Sequence, residues 1–514
     1  MLRCAKQFLV KTTVTTIEHR IGGSPARATS TRSAPVWNPA TGEVQAEVLL
    51  GESSDVDQAV ETARRAFADW RETSTSHRAR VMFAFRDLVQ RHAPELARVV
   101  AREHGKMVSD ATGEIVRGME IVEFACGIAH LAKGEYSDQI SADVDSFSLR
   151  QPLGVCAGIT PFNFPVMVPM WMHPIAIACG NTFVLKPSER DPSASNLIAD
   201  LYSEAGLPGG VFNVVHGDKT AVDAILDHRD IAAVSFVGST PVAKYVHARA
   251  TAAGKRVQAL GGAKNHAVIM PDADIGFAAE QLTAAAYGSA GQRCMAISAA
   301  VAVGDAAGSL LERLKPAVLR LTVGPGVEDA SDMGPVVTAE ARDRILRYIE
   351  GGERAGATLV VDGRKREAPE GSRGFFIGPT LFDDVTTSMD IYRDEMFGPV
   401  LVVLRVDSLE AAIDMINRNP YGNGAAIFTA SGSIARAFGH HVQAGMIGIN
   451  VPIPVPMSMY SFGGWKSSLF GEHHVHGLDG IRFYTHGKVV TARWPSTVHL
   501  TSGAARTMNF PTAS

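Results

Sequence analysis

Between residues 155 and 237 the chain alternates short apolar runs with helical patterns. The runs are Val155–Ile159, Thr182–Leu185, Val211–Val215 and Ala233–Val237, and helical spacing marks Ser193–Glu204 and Thr220–Leu226. Strand and helix in alternation imply a parallel, doubly wound sheet and therefore an α/β fold. Such sheets take their ligands at the carboxyl ends of the strands. Three motifs fall there: Thr160-Pro161-Phe162-Asn163, Lys186-Pro187-Ser188-Glu189 and Gly238-Ser239-Thr240.

The usual dinucleotide fingerprint, Gly-x-Gly-x-x-Gly, is absent after these strands, so a nucleotide would be held differently. Gly238-Ser239, ahead of a helix opening near Pro241, can present backbone donors to a phosphate. Capping preferences alone also explain such a start. Lys186 and Glu189, three apart at a strand end, can each bond a ribose hydroxyl.

The chain has 514 residues, which calls for two or three domains. From Ser54 a helix carries Val56, Val60, Ala63, Phe67 and Trp70 on one face, with Ser54 and Asp57 resembling a capping box. Helical patterns continue to about Phe124, and Glu135–Arg150 reads as strands. A second alternating region follows Gly262, and the tail Gly480–Trp494 reads as a late strand. A net charge of −4 gives no general attraction for nucleic acid or an anionic membrane. The most apolar stretch, Pro165–Cys179, is interrupted by three prolines and a histidine, so no membrane span is expected.

Five scattered cysteines argue for a reducing compartment rather than a disulfide framework. The cluster Glu472-His473-His474-Val475-His476 reads as a solvated polar loop more readily than as a metal site. Met1–Ile17 holds Arg3, Lys6 and Lys11 and no acid, the sign of a mitochondrial presequence but equally of an ordinary frayed terminus.

Cys294 closes the segment Gly288-Ser289-Ala290-Gly291-Gln292-Arg293-Cys294. Small residues leave the backbone open to close approach, and the adjacent arginine can lower a thiol pKa. A thiolate nucleophile divides acyl chemistry into two easier steps. A small buried apolar residue would look the same in isolation.

Five motifs in one register change that reading. Pro161-Phe-Asn-Phe-Pro165, Lys186-Pro-Ser-Glu189, Phe236-Val-Gly-Ser239, Gly291-Gln-Arg-Cys294 and Glu395-Met-Phe-Gly-Pro399 together resemble the aldehyde dehydrogenase superfamily, from about Ile21 to Trp494. The resemblance implies an NAD-binding domain over 18–133 and 153–260 and a catalytic domain over 261–462. Oligomerisation strands would occupy 134–152, and a C-terminal return with a further such strand 463–500. It implies Cys294 as nucleophile, with Asn163 and the Cys294 N–H as oxyanion hole. Contacts to NAD would come from Thr160, Phe162, Lys186, Glu189, Arg190, Ser239, Gly261 and Glu395. Glu189 favours NAD over NADP by repelling a 2′-phosphate, although Arg190 beside it weakens that preference.

One departure sharpens the expectation. Hydrolytic members read Glu-Leu-Gly-Gly where this chain reads Ala259-Leu260-Gly261-Gly262, so the water-activating base is missing. A thiol needs less activation than water, which makes coenzyme A the expected acyl acceptor. Gly262-Ala-Lys-Asn-His266, Val451-Pro-Ile-Pro-Val-Pro456 and Arg482-Phe-Tyr-Thr485 resemble the methylmalonate-semialdehyde dehydrogenase branch. That branch implies Arg117 and Arg293 as ligands of a substrate carboxylate, a group their planar forks suit. The implied reaction converts methylmalonate or malonate semialdehyde to propanoyl-CoA or acetyl-CoA, with no metal and with valine catabolism as one source of substrate. The alternative is a hydrolytic NAD-dependent enzyme of broader specificity, using another base. Association into a homotetramer and a cytoplasmic location, or else the mitochondrial matrix, complete the expectation.

Overall fold

A computed structural model describes residues 15–366 and 372–494. The basic stretch up to residue 14 and positions 495–500 of the expected C-terminal return lie outside these residues. Two large sheets carry the molecule. The first has eight strands, and its five central ones run parallel in the order Arg256–Leu260, Ile231–Val237, Val155–Ile159, Thr182–Lys186, Phe212–Val214. Val155–Ile159 and Thr182–Lys186 are buried at every position, as strands covered by helices on both faces must be. The helix Ser193–Glu204 spans the residues its pattern predicts, and Lys219–Asp227 extends its own by one at each end.

The second sheet has seven strands, in the order Thr358–Val361, Thr380–Asp383, Val400–Val406, Ile297–Val303, Asn265–Ile269, Gly424–Phe428, Met446–Ile449. All of its pairs are parallel except the first. The chain then returns: Leu469–Phe470 pairs antiparallel with Ala259 and Leu260, tying the C-terminal segment to the first sheet. A separate antiparallel sheet joins Tyr136–Ser141, Val144–Pro152 and Thr485–Arg493, the last two matched from Thr485 opposite Pro152 to Arg493 opposite Val144.

The apolar stretch with its prolines forms the helix Met167–Ala178, buried at every residue. No helix among the described residues is long and apolar enough to cross a membrane. Two local expectations are corrected. The first long helix, Ser53–Trp70, is capped by Glu52 and Asp55 rather than by Ser54 and Asp57. Asp55 also accepts from the backbone and hydroxyl of Thr29, a tertiary contact that no local pattern announces. The tail strand starts only at Thr485, because Gly477–Phe483 is a helix whose Gly480 packs on Ile175.

Candidate active site

The helix Ile275–Tyr287 ends in a tight turn over Gly288–Gly291, where Ser289 and Ala290 hold φ of +54° and +51°. Side chains other than glycine rarely adopt that left-handed region, so the turn stores strain just ahead of Cys294. Side-chain amides anchor the backbone of Cys294. Asn265 and Asn423 both donate to the Cys294 carbonyl, at 2.9 and 3.0 Å. The thiol is half-buried and lies between two cavities, lining both. Burial, reinforced by the Glu395 carboxylate, pushes its pKa up to about 12. Backbone N–H groups and Arg293 pull the other way and lose, so the expected lowering by Arg293 is outweighed.

The first cavity, of about 440 Å³, lies where the strands of the first sheet end. Phe162, Asn163, Arg190, Ser239, Gly261 and Glu395 line it. The Arg190 guanidinium lies 5.0 Å from the centre of the Phe162 ring. Thr160, Lys186 and Glu189 do not line this wall. Lys186 and Glu189 pair at 3.1 Å, and Thr160 is buried with a hydroxyl that has no partner among the described residues. Glu395 is pushed up to about 7 by burial and accepts from the Ala263 N–H at 3.0 Å. Its carboxylate rests on Gly262, where any Cβ would overlap it. The opposite wall carries Arg344 and Arg347 from the helix Ala339–Arg354, with Phe397 at φ +51°. Sequence reasoning named none of the three as a site residue, although Phe397 lies in the motif Glu395–Pro399 and the two arginines are three apart on one helix.

The second cavity, also about 440 Å³, holds both predicted arginines together with Cys294. Arg117 donates to Glu120 at 2.7 Å and to the Val455 and Pro456 carbonyls at 3.2 and 2.7 Å. Arg293 pairs with Asp110. Trp171, Phe164, Ile453 and Phe462 supply apolar walls, Trp171 and Phe462 with ring centres 4.5 Å apart. Phe164, Trp171 and Ile453 lie in motifs of the resemblance without having been assigned to the site, whereas Asp110 and Phe462 went unread, since they come from elements far apart in the chain.

Asn163 is almost fully buried, and its side chain makes no hydrogen bond to another described residue, which leaves an amide donor free. Its backbone is held from below. Lys106 donates to the Asn163 carbonyl at 2.6 Å and to Glu114 at 2.8 Å, in an ion pair with no exposed side-chain surface. Glu114 in turn accepts from the N–H groups of Val166 and Met167. Removing one member of such a pair costs about 3–5 kcal/mol, because the other charge stays buried. Among the described residues no cluster of His, Cys, Asp and Glu is arranged to hold a metal ion. His476, of the histidine-rich cluster, packs instead against Trp171 at 5.9 Å.

Residues 26–490 match the aldehyde dehydrogenase family. The chain belongs to that family. It is 53% identical over 481 residues to a malonate-semialdehyde dehydrogenase of Pseudomonas aeruginosa, covering 93% of this chain and 97% of the relative. A crystal structure of methylmalonate-semialdehyde dehydrogenase from Oceanimonas doudoroffii superposes with a TM-score of 0.93 at 54% identity, over 95% of this chain and all of that one. A Sinorhizobium meliloti structure complexed with NAD, provisionally assigned the same activity, gives a TM-score of 0.94 at 53% identity over equal shares. In this aldehyde dehydrogenase Ala259 lies in the strand Arg256–Leu260, its methyl group buried in one apolar cluster with Phe236, Val246 and Val257. No carboxylate stands there.

Proposed function

We propose that this aldehyde dehydrogenase oxidises malonate and methylmalonate semialdehyde with NAD and transfers the decarboxylated acyl group to coenzyme A. One observation carries the reading: Cys294 shares a cavity with Arg117 and Arg293, while Ala259 offers no base for water. The first cavity suits NAD. The helix Thr240–Ala252 starts there without a side-chain cap, so its first N–H groups are available to a diphosphate. Ser239, Gly261 and Phe162 would line the cofactor, with Glu395 at its reactive end. Bound there, NAD supplies the acceptor for hydride.

The residues act in sequence. Arg117 and Arg293 hold the substrate carboxylate and bring the aldehyde carbon to Cys294. The Sγ thiolate attacks that carbon, and the oxyanion is met by the Asn163 amide and the Cys294 N–H, a contribution of roughly 3–4 kcal/mol. Oxidation leaves a thioester on Cys294. Carbon dioxide departs from the β-carboxylate as its bonding pair passes towards the thioester carbonyl, and the resulting carbanion takes a proton. The coenzyme A thiolate then attacks the thioester carbon, and the Cys294 sulfur leaves.

The same reading extends to the domain division set out from the sequence and to association. The antiparallel sheet of Tyr136–Ser141, Val144–Pro152 and Thr485–Arg493 exposes Tyr136, Ile140, Leu149 and Val489, apolar groups that pairing in a homotetramer would cover. The free thiols Cys126, Cys156, Cys179 and Cys294 suit a reducing compartment such as the cytoplasm. The test is NADH formation from each semialdehyde and from propanal, with and without coenzyme A. Turnover that depends on coenzyme A and yields acetyl-CoA or propanoyl-CoA supports the proposal. An equal rate without it, yielding the free acid, replaces it with the hydrolytic alternative.

A further inference from the structure

Asp110 sits in the first turn of the helix Val108–Cys126 and lines the cavity that holds Arg117 and Arg293. A carboxylate in that position repels an anionic substrate unless its own charge is taken up. Both of its oxygens are engaged. One accepts from Arg293 Nη2, and the other accepts from the Ser289 backbone N–H at 3.0 Å. The two partners differ in kind. Arg293 adjoins the nucleophile, whereas Ser289 is a left-handed residue of the turn that leads to it. The Arg293 guanidinium folds back over Gly288, where any Cβ would overlap it, and Nε and Nη1 have no partner among the described residues. Arg117 is held differently, by Glu120 on its own helix and by carbonyls of Val455 and Pro456, none of which is hydrogen-bonded to Gly288–Gly291.

We propose that Asp110 is a positioning residue that orients Arg293 for a substrate carboxylate and braces the strained turn presenting Cys294. The proposal rests on the reading of Arg293 as a carboxylate ligand. One carboxylate serves both contacts, so recognition of a carboxylated aldehyde and placement of the nucleophile are coupled through it.

Asp110→Asn keeps an oxygen for the Ser289 N–H but withdraws the negative partner of Arg293. It should raise the KM for malonate semialdehyde about tenfold more than the KM for propanal. Asp110→Ala removes both contacts and should also lower kcat for both aldehydes, about tenfold, through displacement of the turn. An unchanged thermal midpoint separates that loss from unfolding; should the alanine variant fail to fold, the asparagine variant decides. Arg293→Gln is measured in parallel. If it does not separate the two aldehydes, the carboxylate reading of Arg293 falls and the Asp110 proposal with it. If it does separate them, a KM for malonate semialdehyde that is unchanged or lower in Asp110→Asn overturns the Asp110 proposal alone. A kcat untouched by Asp110→Ala in a folded enzyme removes the brace.

Discussion

The two cavities that meet at Cys294 have similar volumes but are built in opposite ways. On the side proposed for the cofactor, many of the lining residues follow adjacent strands of the first sheet: Phe162 and Asn163, Arg190, Gly238 and Ser239, Gly261 and Gly262. Each lies within a few residues of its strand, so the position follows from where the strand stops. On the side proposed for the substrate, Asp110 and Arg117 come from one helix, Met167 and Trp171 from another, and Ile453, Val455 and Phe462 from a loop region. Their convergence depends on how the helices Val108–Cys126 and Met167–Ala178 pack. Under the proposed function, the difference separates the half that would carry chemistry shared by any aldehyde from the half that would select a substrate.

The largest expected effect tests the junction itself. Cys294→Ala should lower NADH formation from every aldehyde by on the order of 10⁵-fold, since nothing else attacks the carbonyl. Residual turnover close to that of the parent would mean that the two cavities do not meet at a nucleophile. Asn163→Ala should reduce kcat by about 10²–10³ and do so alike for propanal and malonate semialdehyde, because the oxyanion is common to both. A loss confined to the semialdehyde would move Asn163 from the chemical half to the selective half.

Arg117→Leu sharpens the contrast from the other side. Loss of a charge-assisted bond should lower kcat/KM for malonate semialdehyde about 10- to 100-fold, with propanal far less affected. Equal effects on both substrates would remove the carboxylate role. The smallest effect concerns the thiol in the absence of ligands. A raised pKa means less thiolate at neutral pH, so alkylation of Cys294 should climb steadily past pH 9, where an ordinary thiol levels off. Glu395→Gln withdraws a neighbouring negative charge and should speed alkylation at pH 8 by about two- to fivefold. A plateau below pH 9 would contradict the burial argument.

Much of the fold was legible because parallel strands buried on both faces leave short apolar runs between turn residues. Val155–Ile159 and Ser193–Glu204 take the limits that their patterns predict. Legibility failed where a local signal competed with distant packing. Glu52 and Asp55 displace the expected capping pair because Thr29 engages Asp55. Gly480–Phe483 joins a helix because burial of Gly480, Ile481 and Phe483 outweighs the alternation read there as a strand. In the site, Arg117 and Arg293 are 176 positions apart and were assigned to a substrate carboxylate only through family resemblance, yet they line one cavity. Asp110 and Phe462 carried no signal at all, and Trp171 stood out only as the end of Pro165-Val-Met-Val-Pro-Met-Trp171, a further motif of the branch resemblance. Arg293 was visible as a cation beside a thiol, but its salt bridge to Asp110 was not.

By itself, the sequence determined the alternation of strands and helices, the motifs at the strand ends, the cysteine and the missing glutamate at Ala259. These are properties of residue type and spacing, and local chemistry suffices to read them. Only the tertiary structure decided that the thiol pKa rises rather than falls, that Lys186 and Glu189 pair with each other, and that the two arginines share a cavity with Asp110. Burial and through-space charge depend on which elements pack together, and packing brings together residues that spacing along the chain keeps apart.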